Sequence, residues 1–223
     1  MNRPLCYLAL LVAVLPCRAQ KPDAWLEELP PDVRKEVIAA QKEVADLEKL
    51  DNVDFHKAAF KFAFSGTNEW GLGLGSSDAK KFADGLAELP AQTRAQRLAA
   101  LRHGFRYAFS GTNEWGLGLG SSEASKRAEA WARMTEPSRA VATHRIAFRY
   151  AFSGTNEWGQ GLGSSEAAAF ADKIHALPDA LKTLVTHKKA FKYAFQGTNE
   201  GGLGLGSSEA RAFADKQTGL TKK

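Results

Sequence analysis

Asn68-Glu69-Trp70 places an amide, a carboxylate and an indole side by side, inside a twelve-residue stretch that the chain carries four times. The stretch runs Gly66-Thr67-Asn68-Glu69-Trp70-Gly71-Leu72-Gly73-Leu74-Gly75-Ser76-Ser77 and returns from Gly111, Gly154 and Gly197, with starts 45, 43 and 43 residues apart. The triplet recurs as Asn113-Glu114-Trp115 and Asn156-Glu157-Trp158; the fourth copy keeps Asn199-Glu200 but has Gly201 in place of Trp. The third copy has Gln160 where the others have Leu72, Leu117 and Leu203. An indole flanked by hydrogen-bonding groups suits the apolar face and polar edge of a sugar or a peptide. Several identical weak sites on one chain gain by avidity toward a repetitive polymer. These eleven Asn, Glu and Trp residues form the candidate ligand-binding set.

Other chemistries fit the stretch less well. A helix-loop-helix with an acid near its end invites comparison with a calcium-binding loop. With Asp78 at the twelfth loop position, however, Leu72 takes the place that needs Gly, and Thr67 and Gly71 stand at ligand positions. A non-standard cation site of Glu69, Asn68 and loop carbonyls remains as an alternative. Gly71-x-Gly73-x-Gly75-Ser76 opens a helix as phosphate loops do, but no strand precedes it, no lysine follows, and Asp78 would repel a phosphate. Four copies of one Glu do not resemble an active site, which gathers unlike residues at one place. An enzyme using a loop Glu is the weakest alternative; no catalytic residue, metal ligand or cofactor is assigned.

The plainest alternative is structural: glycines for a tight connection, tryptophan and leucines filling the seam between helices, Thr67 and Asn68 satisfying loose backbone groups. The segments flanking the loop differ between copies far more than the loop does. Something restricts the loop itself, and a demanding backbone shape suffices. One further regularity is a row of histidines, His56, His144 and His187, each four residues before a Phe, with Leu101 in the second copy and His103 nearby. A His-Phe contact along one helix turn accounts for it.

The elements that must position these residues read as helices. Arg94 to Phe109 runs without Pro and places Leu98, Leu101, Phe105 and Phe109 at helical spacing, which outweighs the aromatic alternation of Phe105-Arg106-Tyr107-Ala108-Phe109. Each entering helix is expected to end with Gly66, Gly111, Gly154 or Gly197 in a left-handed conformation. Ala79, Phe82, Ala83 and Leu86, like Ala167, Phe170, Ala171 and Ile174, mark exit helices, capped by Ser76-Ser77 and its relatives and stopped at Pro90, Pro137 and Pro178. Asp32 to Leu50 forms a further helix with a stripe of Val37, Ala40, Val44 and Leu47, and Pro22 to Leu29 a short one. The fold expected is all-α: four tandem helix, glycine-rich loop, helix repeats of about 43 residues, as an α-solenoid-like array or a compact helical bundle with an N-terminal helical cap. The divisions are 20-51 for the cap and 52-90, 91-137, 138-178 and 179-223 for the repeats.

Residues 1-19 read as a secretory signal peptide, with Arg3, the apolar run Leu5 to Leu15, and a cleavage site after Ala19. A lipoprotein through Cys17 is the weaker reading, because Pro16 stands just before it. Cys6 and Cys17 are the only cysteines, so a chain cut after Ala19 has no disulfide. That chain carries 28 Lys and Arg against 25 acids, a charge too small and too dispersed along the sequence to argue nucleic acid. No later stretch is long and apolar enough to span a bilayer. The sequence therefore points to a secreted or periplasmic non-catalytic repeat protein with a binding or structural role. The four loops form its contact surface, toward an envelope or extracellular polymer, glycan or peptide.

Overall fold

The computed structural model describes Glu27 and residues 31-221. The expected signal peptide, and all of the expected Pro22-Leu29 helix except Glu27, lie outside the described residues. Among the described residues the chain is all-helical, with nine α-helices and no strand. After α1 (Pro31–Glu48) come four pairs: α2 (Asn52–Phe64) with α3 (Ser76–Ala87), α4 (Ala91–Phe109) with α5 (Ser121–Ala132), α6 (Pro137–Phe152) with α7 (Ser164–His175), and α8 (Ala180–Phe195) with α9 (Ser207–Thr218). Each pair is a hairpin closed by one glycine-rich loop, and α4 packs on α6 as α6 packs on α8.

Small residues set the closeness of each hairpin. Ala59, Ala63, Ala79 and Ala83 in the first pair, and Ala108, Ala124 and Ala128 in the second, are fully buried where the helices face each other. At Gly104 an added Cβ would stand 3.1 Å from the Trp131 ring, so even a methyl group crowds that crossing. Larger side chains join one pair to the next, around the fully buried Phe55, Phe105, Phe148 and Phe191. The aromatic alternation of the entering segments resolves into two helix faces. Phe105 stacks on Phe109 and Phe148 on Phe152, both at 5.5 Å and one turn apart, while Tyr107 and Tyr150 point elsewhere.

The loop carries most of the local surprises. Its extended part runs back along the end of the entering helix and supplies the hydrogen bonds that the last carbonyls lack. Leu72 N–H donates to the Phe62 carbonyl at 3.0 Å, Gly73 to Ser65 at 2.8 Å and Leu74 to Ala63 at 2.9 Å, and all three bonds recur in every copy. Gly71 permits this approach, since a Cβ there would meet the Ser65 carbonyl oxygen at 2.3 Å. Gly66, Gly111, Gly154 and Gly197 are not left-handed as expected; they are extended, with φ between −62° and −64°. The left-handed positions of the loops are Trp70, Trp115, Trp158 and Gly201, at φ 60°, 59°, 58° and 80°, and in each copy the glycine three residues on. Nor do the serines cap the exit helices. Gly75 and its counterparts hold the N-cap position without a side chain, and Ser76 is already the first helical residue. The acid of the first turn, Asp78, Glu123, Glu166 or Glu209, complements the positive helix end. In the last copy Glu209 also accepts a 3.2 Å bond from Gly206 N–H.

Helix α1 forms over the expected stripe, with Val37, Ala40 and Leu47 buried. It packs on α4 of the second repeat and α6 of the third. Glu43 anchors it there, accepting hydrogen bonds from Arg102 and, at 2.9 Å, His103.

Candidate functional site

Each loop tryptophan reaches the following repeat. Trp70 meets the edge of Phe109 at 6.3 Å with the Arg106 guanidinium 5.1 Å over its ring, and Trp115 repeats this with Phe152 and Arg149 at 6.3 and 4.8 Å. Trp158 has the Lys192 ammonium 4.7 Å over its ring. Contacts of both kinds repay part of the cost of holding a large side chain in a left-handed conformation. The rings are not sealed: Trp70 and Trp158 keep 37% and 42% of their surface, and Trp115 is half-buried. In the fourth repeat the left-handed position is Gly201, where an added Cβ would meet nothing within 4 Å among the described residues.

Where consecutive entering helices meet beside these loops, the same cleft is built twice. The first, about 500 Å³, is lined by Arg106, Tyr107, Ser110, Glu114 and Gly116 of one repeat and Arg145 of the next. The second, about 480 Å³, is lined by their counterparts 43 residues on: Arg149, Tyr150, Ser153, Glu157, Gly159 and Lys188. Helix α1 roofs the first with Val37 and Ala40, and Trp70 forms another wall. The second has no such roof; Trp158, Lys189 and Lys192 stand at its side. Both volumes suit a small ligand or one segment of a larger one. Comparison with family models, curated proteins and solved structures finds no match. Function must be argued from this geometry.

Of the sequence-derived site residues, Glu114 and Trp70 line the first cleft and Glu157 and Trp158 the second. Trp115, Glu69, Glu200 and the four asparagines Asn68, Asn113, Asn156 and Asn199 line neither. All eight Asn and Glu side chains of the loops are exposed, and none has a hydrogen bond or ion pair among the described residues. The basic residues of the clefts escaped the sequence reading because charges were counted along the chain. Grouped by helix, they separate: α4, α6 and α8 carry four, three and four Lys or Arg and no carboxylate. The missing signal was that segregation.

The histidines form a second constellation, and its partners are not the expected Phe. His144 Nδ1 is 3.0 Å from the Tyr107 hydroxyl of the preceding repeat, and its Nε2 is 3.0 Å from Asp172 in its own exit helix. His187 repeats this with Tyr150 and Asp215, both at 3.0 Å. A carboxylate only accepts, so Nε2–H donates to it and the neutral ring accepts the Tyr O–H at Nδ1. Burial pushes the Tyr107 and Tyr150 hydroxyls upward, which keeps them protonated donors. Burial also holds His144 below the usual histidine value, more strongly than Asp172 raises it. Burial acts upward on Asp172, but hydrogen bonds from His144 and Arg127 outweigh it and hold the carboxyl well below its ordinary range. Both histidines are fully buried with both ring nitrogens engaged. This arrangement locks one repeat to the next and offers no open lone pair to a substrate. The recurring spacings of 37 residues from Tyr to His and 28 from His to Asp were its trace in the sequence.

Among the described residues no group of three or more His, Cys, Asp or Glu could hold a metal ion, and no helix is long and apolar enough to cross a membrane.

Proposed function

We propose that the chain is an exported, non-catalytic binding protein that holds a repetitive envelope or extracellular glycan along the clefts between its repeats. The observation that carries this is the duplicated cleft, with six lining residues repeated 43 positions on; an exposed tryptophan stands at each, Trp70 of the preceding loop at the first and Trp158 of the cleft's own loop at the second. A flat indole next to Ser, Glu and basic donors matches the apolar face and hydroxyl edge of a pyranose. Successive sites on one chain would engage successive sugars, so that weak single contacts combine. Export rests on the apolar run at residues 5-15 and the Ala19 junction.

The purely structural reading of the loop has its own support: backbone bonding and close approach account for Gly71, Leu72, Gly73 and Leu74. They do not account for Asn68 and Glu69, whose side chains the described fold leaves unused. Calorimetry and indole fluorescence against a panel of neutral and acidic oligosaccharides test the proposal. Binding that weakens in Trp158→Ala while the melting temperature holds supports it. A full panel without heat or fluorescence change would overturn it.

A further inference from the structure

The two clefts share a lining but differ in how their charge is answered. Over α4 and α6 the chain lays its own helix α1, and Glu43 engages Arg102 and His103. The second cleft, between α6 and α8, is lined by Lys188, Lys189 and Lys192 and by the carboxylate of Glu157. Lys188 is half-buried and has no hydrogen bond or ion pair among the described residues; its ammonium rests 5.2 Å over the Tyr150 ring. An ammonium drawn out of water beside other cations is costly unless an anion reaches it.

We propose that this open cleft is an anion subsite, taking a carboxylate or sulfate group of an acidic glycan on Lys188 and Lys192 with the sugar ring beside Trp158. The inference rests on the binding reading above and adds the ligand's charge. Burial, with Arg149 nearby, holds the Lys188 ammonium down to about 8. The corresponding position in the first cleft is Arg145, under the α1 roof, so the two sites are not equivalent. The open one is the entry for the polymer.

The test is calorimetry on the full chain with three probes: a sulfated heparin-type hexasaccharide, an oligogalacturonate, and neutral cellohexaose. At least one acidic probe binds, the neutral one binds more weakly, and Lys188→Gln lowers acidic-probe affinity about tenfold, the size expected for one charge-assisted contact. Lys192→Gln, at an exposed position, gives a similar loss and guards against misfolding of the first variant. Saturation with the probe raises the Lys188 ammonium titration, read by NMR of the 13C-methylated side chain. The sulfated and uronate arms decide which anion the site prefers. Equal binding of neutral and acidic probes, or unchanged affinity in both variants, overturns the anion subsite and leaves the glycan reading standing. No binding of any glycan, or binding of polyglutamate alone, overturns both.

Discussion

Tyr107 and His144 belong to successive repeats and are joined by a 3.0 Å hydrogen bond in the core. The same bond joins Tyr150 to His187 at the next junction. At the first junction the corresponding positions hold Phe62 and Leu101, both apolar and both buried. At each of the three junctions between repeats, donor and acceptor are thus present together or absent together. An unpaired member would leave a polar group stranded in the core.

Tyr107→Phe and Tyr150→Phe are each expected to destabilise the fold by about 1–3 kcal/mol, because the His ring nitrogen loses its donor while staying buried. Chemical denaturation of the single variants checks this. Pairing Tyr107→Phe with His144→Leu, which copies the first junction, should recover part of the loss.

Stability is expected to fall on mild acidification. The folded state holds His144 below its ordinary value of 6.5, so the unfolded chain takes up the proton more readily. That contribution is fully present above about 6.5 and declines as the pH drops below it. Asp172 adds a second loss at lower pH. Its folded value is depressed, so its contribution is present above the ordinary value of 3.8 and is lost as the pH falls through the folded value. Denaturation midpoints between pH 8 and pH 3 should show the first loss and the onset of the second, with the first reduced in His144→Leu and the remainder due to His175, which burial also holds low.

Gln160→Leu is expected to stabilise the chain by about 1–2 kcal/mol, since the amide is buried without a partner. Its exposure is 1%, neither amide atom has a hydrogen bond among the described residues, and the other copies carry Leu at this position. A rise in melting temperature is the readout.

Two glycine-to-alanine changes should have opposite signs. Gly71→Ala forces a methyl group against the Ser65 carbonyl and should open the first loop, a loss of about 2 kcal/mol or more. Gly85→Ala lies inside α3 with open space around it and should stabilise by up to about 1 kcal/mol. Thermal denaturation separates them.

The helices, their pairing by loops and their proline stops are legible in the sequence because they depend on neighbours within a turn or two. Ala79, Phe82, Ala83 and Leu86 mark a helix face wherever it lies. Long-range contacts decide what is not legible. Local rules reserve left-handed backbone for glycine, yet Trp70 adopts it because Phe109 and Arg106 of the next repeat receive its ring. The sequence shows α1 as amphipathic but not which face receives it, and its seat on α4 and α6 depends on Glu43 finding Arg102 and His103 about 60 residues away. Asn68, Glu69 and their counterparts are legible as unused polarity. The basic side of the clefts is not, because a nearly balanced chain hides three helices free of carboxylates.

The linkage from each repeat to the next has a direction. A repeat extends an indole toward its successor, which answers with a basic side chain, and the second and third repeats add a phenol met by the successor's histidine. In the fourth repeat the indole is replaced by Gly201, and Tyr193 is 47% exposed. The array is therefore polar, each junction running from a donor on one unit to an acceptor on the next. A copy of the third unit inserted between the third and fourth would find every contact waiting on both sides.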